Sequence, residues 1–122
     1  MRYAQCLASV LRENGVKPGD VVAVTMNNCP EILASFRAAW ILGAAILPIM
    51  PQLVARELRY ILEHSEARVI ITSEELTAEV LEASNGLTTL QHVLITGNSE
   101  SEGARSISQE IEAASPIENL HD

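Results

Sequence analysis

The sequence predicts a three-layer α/β sandwich, a mainly parallel sheet of about four strands with helices on both faces. Two observations carry that prediction. Four short runs, Val21–Met26, Ala45–Leu47, Val69–Thr72 and His92–Thr96, are apolar nearly throughout instead of alternating, as strands covered on both faces require. The segments between them show helical spacing of apolar residues, and strands that alternate with helices imply right-handed crossovers and parallel neighbours. Composition agrees with both: 48% of the residues are apolar and only 3% aromatic, so the core must be built from Val, Ile, Leu and Ala. A length of 122 residues suits one core, and residues 1–122 are read as a single α/β unit.

The elements follow in order. Tyr3, Leu7, Val10 and Leu11 recur at helical spacing, with Gln5, Arg12 and Glu13 on the other side, and Gly15 stands where a left-handed cap ends a helix. Pro18-Gly19 suits a type II turn, since proline fixes a negative φ and glycine supplies the positive φ that follows. That turn launches the first strand. Asn27-Asn28-Cys29-Pro30-Glu31 then offers caps, a proline near the first helical position and an acid in the first turn, so a helix is expected from there to about Leu42. Trp40 shares helical spacing with Leu33 and Phe36 and is expected to pack between helix and sheet.

Gly43 stops this helix, and Pro48 ends the second strand. Val54, Leu58, Ile61 and Leu62 mark one face of a helix from about Val54 to His64. After the third strand, Ser73-Glu74-Glu75 signals a helix that carries Leu76, Val80 and Leu81 and closes at Asn85-Gly86. Residues 97–104, polar and acidic, are expected to form a flexible loop. Ile107, Ile111 and Ala114 suggest a last short helix, and residues 117–122 an irregular tail.

Charge and spacing exclude several function classes. The net charge of -8, with no Lys/Arg cluster, argues against a nucleic-acid partner. The longest apolar stretch, Ala38 to Met50, is broken by Gly43 and Pro48 and falls short of the roughly 20 residues of a membrane span. Cys6 and Cys29 form no CxxC or disulfide framework and read as free thiols in a reducing compartment, so a cytoplasmic location is expected.

Catalytic and binding motifs are sought with the same logic. The loop after the first strand has no glycine, and Pro48 and Pro51 remove amide donors from the second, so neither offers a phosphate cradle. Gly97 to Gly103 has spaced glycines but lacks a P-loop lysine, and Glu100 and Glu102 repel phosphate. His64, His92 and His121 are far apart, without acids or cysteines at metal-ligand spacing, and Cys29 has no base near it in sequence. No G-x-S-x-G elbow is present. The catalytic, cofactor-binding and metal site residues expected of this chain are therefore none.

The order of local signals is more informative than any single residue. Tyr3-Ala4-Gln5-Cys6-Leu7, Gly15 to Ala23 and Asn28-Cys29-Pro30-Glu31, then Trp40 to Ile49 and Glu57 to Thr72, resemble the opening of the AMP-forming acyl-CoA synthetase and ligase superfamily. The resemblance covers about Tyr3 to Thr96 and implies part of the N-terminal domain of the adenylate-forming fold. It implies a parent enzyme that activates a carboxylate with ATP to an acyl-adenylate and usually passes the acyl group to CoA, with ATP, Mg and CoA as its cofactors. Fatty-acid metabolism is one setting for such a ligase. The family's Ser/Thr/Gly-rich phosphate loop, ribose-binding Asp and catalytic Lys match no position here, and further family segments are expected before Tyr3 and after Asp122. The chain is accordingly expected to be an inactive structural portion that binds no cofactor itself.

Its partners are expected to be the remainder of the parent enzyme and, for the isolated chain, a second copy. Cutting the domain there would leave apolar surface and a sheet edge uncovered, so a homodimer is expected. A free-standing flavodoxin-like binding or regulatory module is the alternative reading.

Overall fold

The computed structural model describes residues 2–26, 30–96 and 105–106. They form α1 (Arg2–Glu13), β1 (Val21–Thr25), α2 (Pro30–Leu42), β2 (Ala45–Pro48), α3 (Ala55–Ser65), β3 (Val69–Thr72), a 3-10 turn (Glu74–Leu76) leading into α4 (Thr77–Ser84), β4 (His92–Ile95) and β5 (Arg105–Ser106). The caps Asn27 to Cys29, the loop at 97–104, the helix at 107–114 and the tail at 117–122 lie outside the described residues.

Turn chemistry connects the elements as the sequence suggests. At the end of α1, Val16 N–H donates to Leu11 O at 3.1 Å and Gly15 N–H to Arg12 O at 3.0 Å, a pattern that Gly15 permits by adopting φ +91°. The Pro18-Gly19 turn closes with Asp20 N–H donating to Lys17 O at 3.0 Å. Pro30 is the first residue of α2, where its missing N–H costs no helical bond. The Glu57 carboxylate accepts a 3.3 Å bond from Val54 N–H at the start of α3. The guanidinium of Arg59 donates to the carbonyls of Ala83 and Asn85, which ties α3 to the end of α4.

All described strands run parallel in the order β2-β1-β3-β4-β5. β5 adds a two-residue strand that the sequence does not signal, with Leu94 opposite Arg105. The crossover from β1 to β2 runs in one direction and that from β2 to β3 returns past β1. Right-handed crossovers in opposite directions put α2 and α3 on opposite faces.

Side-chain alternation then builds two cores. Val22, Val24, Val69, Ile71 and Leu94 pack with α1 and α2 on one face. Ala23, Ile70, Val93 and Ile95 pack with α3 and α4 on the other. This is the expected three-layer sandwich. α1 is buried along the whole of Cys6–Leu11, more than its one-sided apolar pattern suggests.

One expectation is overturned. Trp40 is 62% exposed and Leu33 72% exposed, while the buried side chains of α2 are Ser35, Ala38, Ala39, Ile41 and Leu42. Small and aliphatic residues let α2 lie close on the sheet. Trp40, about 140° round the axis from Ser35 at 100° per residue, faces away from it.

Candidate functional site

In doubly wound sheets ligands bind outside the carboxyl ends of the strands, where the strand order reverses. Here that point lies between β1 and β3. Thr25 and Thr72 are register partners at the ends of those strands, 3% and 0% exposed. Partners across a parallel pair point to the same face, so two hydroxyl-bearing side chains lie together under the crevice. The Thr72 hydroxyl has no hydrogen-bond partner, while its backbone carbonyl accepts a 3.0 Å bond from Thr96 N–H.

Past the carboxyl ends of β1 and β2, a cavity of about 580 Å³ is lined by Met26 and Ile32 and by Pro48, Ile49, Met50, Pro51 and Gln52. Gln52 is its one polar side chain, and Pro48 and Pro51 have no N–H to offer. Such a lining holds apolar groups. It does not fit the phosphates of ATP or the pyrophosphate of CoA, which need converging N–H groups or cations.

A second cleft, of about 440 Å³, opens at the opposite edge, among Gly19, Asp20, Val21, Ser65, Glu66, Arg68, Thr88, Thr89 and Gln91. It is the more polar of the two, but it stands at the amino ends of the strands. Its Arg68 Nε lies 2.9 Å from Asp20 Oδ2, and the same carboxylate oxygen accepts a 2.8 Å bond from Lys17 N–H. Arg68 Nε is buried without a well-directed hydrogen bond, so the contact is chiefly one of charge. With Asp20 and Glu66 both present the cleft carries more negative than positive charge, which disfavours an anionic ligand. The pair joins the starts of β1 and β3 and is structural.

The residues weighed in the sequence do not converge. His64 is exposed and stacks on Tyr60, with ring centroids 4.9 Å apart. His92 is half-buried at the start of β4, and Cys6 is buried in α1. Cys29, His121 and Gly97 to Gly103 lie outside the described residues. Among the described residues, no three His, Cys, Asp or Glu side chains gather where they could hold a metal ion, and no helix is long and apolar enough to cross a membrane. The Thr25–Thr72 and Asp20–Arg68 pairs are missed by sequence reasoning because both depend on the β1–β3 register, which no local motif encodes.

Comparison with known proteins supplies what the side chains do not. A family model described as "AMP-binding enzyme" matches residues 1–120. Bacitracin synthase 1 of Bacillus licheniformis is 39% identical over 83 residues, which is 65% of this chain and 2% of that protein. Crotonobetaine/carnitine–CoA ligase of Salmonella paratyphi A is 30% identical over 91 residues, covering 74% of this chain and 18% of the ligase. The crystal structure of an anthranilate CoA ligase in complex with anthranoyl-AMP superposes with a TM-score of 0.87 at 28% identity, over 94% of this chain and 22% of that one. The chain thus spans under a fifth of either curated relative, within a region that peptide synthases and CoA ligases share. With its fold matched over nearly its full length and its sequence over residues 1–120, this chain belongs to the AMP-binding enzyme family.

Proposed function

We propose that the chain is the N-terminal structural portion of an ATP-dependent, AMP-forming carboxylate-activating enzyme of the acyl-CoA ligase type. The observation that carries this reading is the family match over residues 1–120 in a chain that spans under a fifth of the curated relatives it matches. Its role is to build part of the sheet and to offer one apolar wall, formed around Met26, Ile49 and Met50, on the ligand side of the larger domain. ATP, Mg and CoA belong to the whole enzyme, in the cytoplasm. The remainder of the parent protein is the chain's principal partner, and a carboxylic acid its substrate class.

The second reading, a free-standing flavodoxin-like binding module, has the strand order of this chain in common with the CoA ligase fold on which the chain superposes. The order β2-β1-β3-β4-β5 is the strand order of that fold, whose flavin binds at the same switch point. The sequence relatives named above favour the first reading. Two measurements on the purified 122-residue chain separate them. The scaffold reading expects no carboxylate-dependent exchange of pyrophosphate into ATP above a protein-free blank, because catalysis of this kind depends on positioned phosphate donors. It also expects no rise in melting temperature with ATP, AMP, CoA or FMN, since only ligands that bind the folded state stabilise it. Saturable exchange would overturn the inactive-scaffold reading, and a dose-dependent shift with FMN alone would favour the flavodoxin-like one.

A further inference from the structure

We draw no further inference here: the strongest candidate, the exposed apolar stripe of Leu33 and Trp40 along the outer face of α2, carries none, because nothing in the structure shows what covers it in a chain that spans 22% of the CoA ligase on which it superposes.

Discussion

At Thr72 a hydroxyl is fully buried without a hydrogen-bond partner, in a sheet whose other buried strand side chains are mostly aliphatic. Burying an unpaired hydroxyl costs free energy, and replacing it with an apolar group of the same shape removes that cost. Thr72→Val is therefore expected to raise stability by about 1 kcal/mol, read as a higher denaturant midpoint with an unchanged slope. A loss of stability instead would mean that the hydroxyl has a partner in solution, such as an enclosed water, and that the carboxyl edge is wetter than its lining suggests. Nothing in the sequence around Thr72 distinguishes it from the threonines at Thr25 or Thr96, because its isolation is produced by neighbours distant in sequence. Trp40 teaches the converse. Helical spacing groups it correctly with Leu33 and Phe36, but α2 has apolar residues on every side, and periodicity does not say which of its faces the sheet covers.

At the scale of elements, α4 is held at both ends. It begins through a 3-10 turn, where the Thr77 hydroxyl donates to Ser73 O at 3.1 Å, and at its far end the Arg59 guanidinium binds the carbonyls of Ala83 and Asn85. A cation at a helix C-terminus satisfies carbonyls that have no intrahelical partner and complements the helix dipole. Arg59→Met keeps much of the apolar stem and removes the cation, so it should cost about 1 kcal/mol. Hydrogen exchange checks this with spatial detail: protection should fall first in the last turn of α4, with the amides of β1 and β3 affected only through the global loss. Uniform loss across the sheet, or none, would show that Arg59 does not hold α4. The strands and helices between α1 and β4 were legible in outline because each is bounded by a proline, a glycine or a cap. β5 was not, since Arg105–Ser106 is polar and, at two residues, too short to show a strand pattern.

For the whole molecule, the alternation of strands and helices made the parallel three-layer class readable, and composition made the aliphatic core readable. The strand order was not, because two right-handed crossovers in opposite directions and two in the same direction leave similar local signals. The candidate site stayed illegible for a chemical reason. Motif reasoning finds converging charges and glycine-rich loops, and among the described residues the cavity at the carboxyl edge is lined by prolines, methionines, isoleucines and one glutamine. On the proposed reading the chain offers its family a folded surface on which other segments assemble, and exchange between relatives tests that most directly. The 122-residue chain would replace the matched segment of crotonobetaine/carnitine–CoA ligase of Salmonella paratyphi A, with a ligase lacking that segment as the control. The chimera is expected to retain carboxylate-dependent exchange of pyrophosphate into ATP that the control lacks. A soluble, cooperatively folded chimera with no exchange above the control would contradict the account.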